Sequence, residues 1–223
     1  MSVIFVTRMS SECPWIEEFQ EHTFIAKRLI RFERVQQLEE VPKTEWIFFA
    51  SPRSVEFFLD EQRFNDHMPF LAAMGQGTAK AIHDRGFPTS YIGESSDPKK
   101  VAEEFKKHLR PATDVLFPMA EESRRSIMKA AQGLNCIPWI CYRTVESPSL
   151  IEHCDVLIFS SASNVRSYFA LNTPHSAQAI ISFGPTTAQE VNHLLLAVNA
   201  SIRKHIVLDT ITDERIALAI RQL

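Results

Sequence analysis

The sequence predicts an α/β protein made of two similar domains, each a parallel sheet flanked by helices. Three observations support this prediction: strand-like and helix-like patterns alternate along the chain, a block of motifs occurs twice, and the second copy lacks a final unit that the N-terminus can supply. Short β-rich runs that alternate with amphipathic helical stretches are typical of parallel sheets with crossover helices. The predicted strands are Val3–Thr7, Trp46–Ala50, Phe70–Met74, Thr89–Ile92, Asp114–Pro118, Asp155–Ser160, Ala177–Ser182 and Ser201–Val207.

The bulk composition bounds the kind of protein. Of its 223 residues 45% are hydrophobic and 23% charged, which are ordinary globular values. A net charge of −3 gives no sign of general binding to nucleic acid or to a membrane surface. The four cysteines show no metal-ligand spacing, and the chain does not start with a basic stretch followed by a long apolar run. We therefore expect a cytoplasmic protein with reduced thiols, no metal site, and no nucleic-acid or membrane partner.

A repeat is the most informative feature of the chain. Ile47-Phe-Phe-Ala-Ser-Pro-Arg-Ser-Val55 aligns without a gap with Leu157-Ile-Phe-Ser-Ser-Ala-Ser-Asn-Val165. Further on, Met74-Gly-Gln-Gly-Thr-Ala79 aligns with Phe183-Gly-Pro-Thr-Thr-Ala188, at nearly the same spacing from the serine (51 to 75, and 161 to 184). Matching blocks in the same order indicate a duplication. The N-cap candidates of the helices that follow are Asp97 and Thr212.

The second copy of the repeat is one unit shorter than the first. The first copy continues into a fourth unit, strand Asp114–Pro118 and a helix over Ser123–Gln132, whereas the second copy reaches the end of the chain first. The missing unit is available at the N-terminus, where strand Val3–Thr7 precedes a helix near Pro14–Phe19. The duplication therefore predicts a domain that is split between the two ends of the chain.

The predicted domain boundaries follow from this split. We expect a discontinuous α/β domain of about 1–30 plus 148–223, with a continuous α/β domain of about 35–140 inserted in it. The two crossings, 30–35 and 141–147, both read as extended, and we expect them to pair as a two-stranded linker. Such a linker restricts motion to the opening and closing of a cleft between the domains.

Four turns are the candidate binding elements. Ligands of open parallel sheets bind beyond the carboxyl ends of the strands, where backbone N–H groups at a helix start favour an anion. The repeat places a small-residue turn at four such ends, beginning at Ser51, Gly75, Ser161 and Gly184. Ordinary N-capping explains any one of them. Four turns that converge from two facing domains predict a cleft for a ligand with several anionic groups.

Basic residues and one tyrosine add to the predicted cleft. The arginines that could contribute charge, each of which is otherwise read as a solvated surface charge, are Arg8, Arg53, Arg124, Arg143 and Arg166. Tyr142 stands in the second crossing, where a phenol could hydrogen-bond to a ligand or transfer a proton; the other interpretation is a packing tyrosine. Because the sequence has no HExxH, Cys/His cluster or nucleophile elbow, metal hydrolysis and serine-type acyl transfer have no support.

The motifs together resemble the uroporphyrinogen-III synthase family over essentially the whole chain. The family has a strand ending in Thr-Ser before a small-residue helix start, Gly-x-x-Thr in the first half, a Tyr-x-Thr linker, and Gly-Pro-Thr-Thr-Ala in the second half. Two positions depart from the family pattern: the segment 119–124 lacks a glycine before Arg124, and Asn199 stands about where a glycine is usual. The matching runs are Phe49-Ala-Ser-Pro-Arg-Ser-Val55, Gly75-Gln-Gly-Thr78, Cys141-Tyr-Arg-Thr-Val145, Ile158-Phe-Ser-Ser-Ala-Ser-Asn-Val165 and Phe183-Gly-Pro-Thr-Thr-Ala188.

The resemblance implies two flavodoxin-like domains and a cofactor-free carbon–oxygen lyase. Its substrate would be hydroxymethylbilane, a linear tetrapyrrole with acetate and propionate arms on every ring, which is cyclised with loss of water and inversion of the last ring. Tyr142 is the first candidate to supply the proton to the leaving hydroxyl, and an acid group of the substrate or an ordered water molecule could serve instead. We expect a monomer, with a transient contact to the enzyme that makes the bilane. The residues expected to bind substrate are Arg8, Ser51, Arg53, Gly75, Thr78, Arg143, Ser161, Ala162, Gly184, Thr186 and Thr187.

Two other functions fit the same sequence features. One is a non-catalytic binding module for a polycarboxylate or a tetrapyrrole, which would keep the turns and be indifferent to Tyr142. The other is an FMN or nucleotide protein of flavodoxin-like architecture, although no Ser/Thr-rich phosphate loop follows Val3–Thr7. The isomer formed from fresh hydroxymethylbilane discriminates these functions from the lyase.

Overall fold

The computed structural model describes residues 1–37, 40–60 and 68–223. Contacts between Cα atoms divide them into two compact units: unit 1 is Met1–Arg31 with Val145–Leu223, and unit 2 is Phe32–Thr144. No helix within the described residues is long and apolar enough to cross a membrane.

Strands form one sheet in each unit. Along the chain they are β1 (Val3–Val6), β2 (Thr23–Ala26), β3 (Ile30–Arg34), β4 (Trp46–Phe49), β5 (Phe70–Ala73), β6 (Tyr91–Ile92), β7 (Asp114–Ala120), β8 (Asn135–Glu146), β9 (Val156–Phe159), β10 (Ala179–Phe183) and β11 (Lys204–Leu208). Each predicted strand has a counterpart among these, and the predicted α/β class with parallel sheets is confirmed.

The sheet of unit 1 has the strand order β2-β1-β9-β10-β11, and its neighbouring strands are all parallel. Counted along unit 1 alone this is the order 2-1-3-4-5, the doubly wound arrangement of flavodoxin. The strand order reverses between β1 and β9. Ligands of such sheets bind at that reversal, outside the carboxyl ends of the strands.

The sheet of unit 2 has the same arrangement of strands, but the chain passes through them in a circularly permuted order. Its strands β8-β7-β4-β5-β6 are parallel neighbours, and β3 lies beyond β8. Position by position, β7 and β8 correspond to β1 and β2, while β4, β5 and β6 correspond to β9, β10 and β11. The reversal of unit 2 therefore lies between β7 and β4.

Both faces of each sheet are buried, which explains the continuous apolar runs in the sequence. In unit 1, Ile158 belongs to the core on one face and Phe159 to the core on the other. In unit 2, Phe49 and Phe48 divide in the same way. Successive side chains of a strand point to opposite faces, so each of these short strands contributes to two cores.

Helices connect the strands. They are α1 (Pro52–Leu59), α2 (Gln76–His83), α3 (Pro98–Lys106), α4 (Ser126–Ala130), α5 (Ala162–Phe169), α6 (Pro185–Ala197) and α7 (Asp213–Arg221). The predicted N-caps are observed: the Asp97 side chain accepts a hydrogen bond from Lys99 N–H, and Thr212 from Arg215 N–H. Proline at the first position of α1, α3 and α6 fixes a helical φ without losing a hydrogen bond.

The structure corrects several predicted elements. Strand β2 was not predicted from the sequence. For β8, only the last part was predicted as extended, as the crossing 141–147. The helix expected over Ser123–Gln132 is shorter, because Arg125 has left-handed backbone (φ 56°) and α4 begins only after it. The region near Pro14–Phe19 forms a 3-10 helix, Pro14–Glu18. Asn199, which stands where the family has glycine, has φ 52° and so adopts the conformation that glycine favours.

Candidate functional site

The Ser51 turn (residues 51–54) follows β4 in unit 2. The Ser51 hydroxyl accepts a hydrogen bond from Ser54 N–H at 3.2 Å, and the Ser54 hydroxyl donates to the Ser51 carbonyl at 2.7 Å. Pro52 has no N–H, so Arg53 carries the first amide of α1 that lacks an intrahelical acceptor. The Ser51 hydroxyl is half-buried and acts as a cap, while the Arg53 N–H remains a donor at the edge of the sheet.

Arg53 and two aromatic rings extend this turn. The Arg53 guanidinium lies over the Phe32 ring, 4.1 Å from its centroid, and forms an ion pair with Glu56 at 2.8 Å. Stacking on the ring holds the guanidinium in one orientation beside the Ser51 turn. The structure therefore brings two of the predicted binding residues, Ser51 and Arg53, together at one strand end.

Tyr142 lies against the same turn. Its side chain is 8% exposed and stacks on Phe57 of α1, with ring centroids 5.0 Å apart and planes at 23°. Phe32 meets it edge-on at 6.0 Å. Burial raises the pKa of the Tyr142 phenol, while the neighbouring Ser51 hydroxyl and the positive charge of Arg53 act in the opposite direction. The phenol is thus protonated at neutral pH, and the neighbours that lower its pKa are two predicted binding residues.

Arg143 does not join this cluster. It follows Tyr142 in β8, and successive strand side chains point to opposite faces. Its guanidinium is exposed and paired with Glu33 of β3 at 2.9 Å, which raises its pKa. Within unit 2 the structure separates Arg143 from Tyr142, and the pairing with Glu33 accounts for its orientation.

The Gly75 turn (residues 75–78) follows β5, the neighbour of β4 in unit 2. Gly75 has extended backbone (φ −176°), and a Cβ there would come no closer than 3.8 Å to Gly93 O. Gly93 is the glycine that packing requires, because its Cβ would lie 2.4 Å from the Met74 carbonyl oxygen. Thr78 is 5% exposed and its N–H donates to Gly75 O at 3.1 Å.

In unit 1, the Ser161 turn (residues 161–164) follows β9. The Ser161 hydroxyl accepts hydrogen bonds from Asn164 N–H at 3.3 Å and from the Asn164 side-chain amide at 3.0 Å. The first-turn N–H of Ala162 has no intrahelical acceptor. Next to the turn, Ser160 N–H donates to the Thr7 hydroxyl at 2.8 Å, and the Ser160 hydroxyl donates to the Thr7 carbonyl at 3.0 Å. These bonds link the ends of β1 and β9 at the reversal of the strand order.

Arg8 lies close to the Gly184 turn (residues 184–187), which follows β10. The Arg8 guanidinium is over the ring of Phe183, 4.8 Å from its centroid. Gly184 has φ 84° and ψ 163°, a backbone conformation essentially confined to glycine. The Thr187 hydroxyl donates to the Phe183 carbonyl at 2.8 Å, so its hydrogen is already used within the protein. Thr186 is exposed at the same helix start.

Each unit therefore gathers part of the predicted set. Unit 1 aligns Arg8, the Ser161 turn and the Gly184 turn along the ends of β1, β9 and β10. Unit 2 gathers Ser51, Arg53 and Tyr142, with the Gly75 turn on the next strand. The supporting residues Phe32, Phe57, Asn164 and Phe183 were not predicted from the sequence. Asn164 and Phe183 do lie in the repeated blocks, where Asn164 aligns with the capping residue Ser54.

No cluster of three or more His, Cys, Asp or Glu residues suited to a metal ion is found among the residues that the structure describes. The four cysteines are free thiols, and burial raises the pKa of Cys13 and of Cys154 to about 11. Such thiols are protonated and unreactive at neutral pH.

Known proteins share this fold. The family model described as Uroporphyrinogen-III synthase HemD matches residues 11–204. The chain is similar in structure to uroporphyrinogen-III synthetase from Helicobacter pylori, with 16% identity, a TM-score of 0.68 and full coverage (100%) of both chains. It is also similar to a mutant uroporphyrinogen III synthase from the extremely thermophilic bacterium Thermus thermophilus, with 12% identity, a TM-score of 0.55, and coverage of 99% of this chain and 98% of that one. At these identities the two structures show the shared fold. Comparison with curated proteins gives no match.

Proposed function

The chain belongs to the uroporphyrinogen-III synthase family, and from that premise we propose how its residues cyclise hydroxymethylbilane to uroporphyrinogen III. In this reaction the terminal hydroxyl takes a proton and leaves as water, and its carbon bonds to the last ring. This bond forms at the ring position that already carries the bridge to the preceding ring, which gives a spiro intermediate. The older bridge bond then breaks, the bridge carbon bonds to the free position of the same ring, and that position loses its proton as the inverted macrocycle closes. The bilane closes without inversion when left alone, so the protein must control conformation as well as rate.

Tyr142 is the proposed proton donor to the leaving hydroxyl. The observation that carries this role is its position: a buried phenol, stacked on Phe57, that packs beside Ser51 and Arg53 at a strand end. Because burial raises its pKa, Tyr142 is fully protonated at neutral pH. The neighbouring Ser51 hydroxyl and the charge of Arg53 both act to lower the pKa of Tyr142, and so reduce the cost of the phenolate that the transfer leaves behind.

The helix-start turns are the proposed carboxylate sites. Backbone N–H groups in the first turn of a helix point along the positive end of its dipole and bind anions without side-chain charge. In unit 2 the proposed ligands are Ser51, Arg53, Gly75, Thr78 and, from the opposite face of β8, Arg143. In unit 1 they are Arg8, Ser161, Ala162, Gly184, Thr186 and Thr187. Several weak contacts of this kind hold a flexible chain in one reactive conformation, which is an orientation effect.

We place the reaction among the cofactor-free carbon–oxygen lyases, because loss of water and closure of a carbon–carbon bond transfer no electrons to an acceptor.

The division into two compact units supports the proposed insertion of a domain of about 35–140 between 1–30 and 148–223. The cysteine usage supports a cytoplasmic location. A monomer with a transient contact to the bilane-forming enzyme completes the proposal. Nothing in the comparisons favours a non-catalytic binding module.

The product isomer tests the proposal directly. Purified protein is supplied with freshly made hydroxymethylbilane, and the isomers are separated after oxidation to porphyrins. We expect the inverted isomer in excess over a control without protein, and less of it with Thr78→Ala or Thr187→Ala. Formation of the non-inverted isomer alone would contradict the enzymatic function.

A further inference from the structure

A cavity of about 190 Å³ lies in unit 2 on the face of the sheet that carries α3 and α4. It lies beyond the ends of β4 and β5, where Ala50 and Met74 contribute to its walls, and beside Pro118 in the last half of β7. This is the edge at which doubly wound sheets bind ligands, next to the reversal between β7 and β4. Of the residues that the sequence analysis names for the predicted cleft, only Arg124 lines this cavity.

Its lining is apolar on one side and cationic on the other. Phe117, Met119 and Ile127 form part of an apolar floor, while Arg124 and Arg125 stand in the wall with Ser123. Pockets for drug-sized ligands are about 300–1,000 Å³. The cavity therefore suits a single flat ring with a short acid arm, and an apolar floor beside guanidinium groups matches a ring that carries a carboxylate.

Arg125 has a conformation that costs energy. Its φ of 56° and ψ of 31° are left-handed, which is uncommon for a long side chain. The Ser123 hydroxyl accepts a hydrogen bond from its N–H at 3.2 Å and helps to hold the turn. Such conformations occur preferentially at binding and switch regions. The left-handed turn sets the path of the chain at the wall of the cavity.

We propose that this cavity binds one carboxylated pyrrole ring of the substrate, with Arg125 as the partner of its acid arm. The inference rests on the proposed function for the identity of the substrate. It adds a binding subsite on one face of the sheet of unit 2. Tyr142 lies on the opposite face, where it packs with Ile47 and Phe49 on the side of α1. A ring held there is distant from the proposed proton donor, so the subsite anchors the bilane and does not take part in bond breaking.

Direct binding provides a test that does not depend on turnover. The probe is a monocyclic pyrrole with one acetate and one propionate arm, titrated into protein with ¹³C-labelled methionine methyl groups. Three of the six methionines, Met74, Met119 and Met128, line the cavity. We expect their resonances to shift while those of Met1, Met9 and Met68 stay in place. Shifts spread evenly over all six, or no shifts at millimolar probe, would overturn the proposal.

Variants of Arg125 connect the subsite to the reaction. Arg125→Asn removes the charge with a residue that tolerates left-handed backbone, and Arg125→Lys keeps the charge. Lys129→Asn removes one exposed positive charge from the same helix outside the cavity and is the matched control. We expect Arg125→Asn to raise KM and weaken pyrrole binding about tenfold, with kcat and the isomer ratio unchanged. Arg125→Lys should restore most of the affinity.

The outcomes separate the two proposals. If Arg125→Asn behaves like Lys129→Asn in both KM and probe binding, the subsite is wrong whatever the isomer assay shows. A fall in kcat without a change in KM would also contradict an anchoring role. If wild-type protein forms only the non-inverted isomer yet binds the probe through Arg125, the proposed function fails and the pyrrole-acid subsite stands.

Discussion

The side-chain oxygen of Asn164 accepts a hydrogen bond from the backbone N–H of Leu29 at 3.0 Å, in the buried interior of unit 1. The amide nitrogen of the same side chain donates to Ser160 and Ser161 at the end of β9. One side chain thus fixes the segment that precedes β3 against the turn proposed to bind substrate. Nearby, the buried Ser167 hydroxyl donates to Leu29 O and accepts from Ser147 N–H.

Replacing Asn164 with leucine should destabilise unit 1 strongly. The change leaves the Leu29 N–H buried without an acceptor and removes the side-chain donor to both serines. At about 1–3 kcal/mol for each unsatisfied buried group, we expect a loss of about 2–4 kcal/mol. Denaturant unfolding measures it as a lower midpoint at an unchanged slope. The repeat supplies the control, because Ser54→Ala removes the equivalent capping side chain of unit 2 and should cost only about 1 kcal/mol.

Tyr142→Phe should lower kcat by about 100-fold or more, because it removes the proposed acid and keeps the ring. Stacking on Phe57 at 5.0 Å does not need the hydroxyl, so stability and KM should change little. Stopped assays with fresh hydroxymethylbilane measure both kinetic constants. Tyr91→Phe is the matched control, since its hydroxyl donates to Val101 O at 3.1 Å within unit 2 and should leave kcat unchanged. An unchanged kcat in Tyr142→Phe would remove Tyr142 from the mechanism.

The two turn glycines should respond differently to alanine. Gly184 has φ 84°, where a side chain is strained by about 1–3 kcal/mol, whereas Gly75 has extended backbone that alanine adopts freely. Gly184→Ala should therefore lower the unfolding midpoint and raise KM, because the N–H groups of the Gly184 turn are displaced. Gly75→Ala should change neither by much. Thermal unfolding and steady-state kinetics of the two variants measure these effects. Equal effects in both variants would mean that the left-handed backbone of Gly184 is not the cause.

The sequence predicted those parts of the fold that depend on local rules. Ser51 and Ser161 were assigned as helix starts because serine is a preferred N-cap, and both accept the expected bond from the residue three positions on. The repeat predicted which strands of the two halves correspond, and the corresponding strands have corresponding neighbours in the two sheets. The first part of β8 was not predicted. Proline argues against a strand, yet Pro138 lies inside β8, where it is exposed.

The contacts around the candidate residues could not be predicted in this way. Phe57 lies on α1 and Phe32 on β3, and both reach Tyr142 only through the packing of these elements on β8. The position of Arg8 over Phe183 likewise depends on the distance between β1 and β10, strands far apart in the chain. The left-handed Arg125 has no sequence signal, because the residue types that favour this conformation are glycine, asparagine and aspartate.

His205 should make unit 1 less stable in mild acid. Its Nε2 lies 2.8 Å from the Ser182 hydroxyl and its Nδ1 lies 3.2 Å from the Asn192 side-chain oxygen, and burial lowers its pKa from the usual 6.5. The unfolded chain therefore binds a proton more readily than the folded one. The stabilising effect of the neutral ring is complete above pH 6.5 and is lost as the pH falls from there through the lower folded pKa.

The pH dependence of unfolding isolates this effect. We compare the denaturation midpoint of wild-type protein with that of His205→Gln between about pH 5 and 8, the range in which histidine titrates. The midpoint of the wild type should fall more steeply toward acid, because only that chain takes up the extra proton on unfolding. His193→Gln, at an exposed position of α6, controls for the removal of one histidine from unit 1. Parallel curves for all three proteins would mean that the Ser182–His205–Asn192 contacts do not depend on a neutral imidazole.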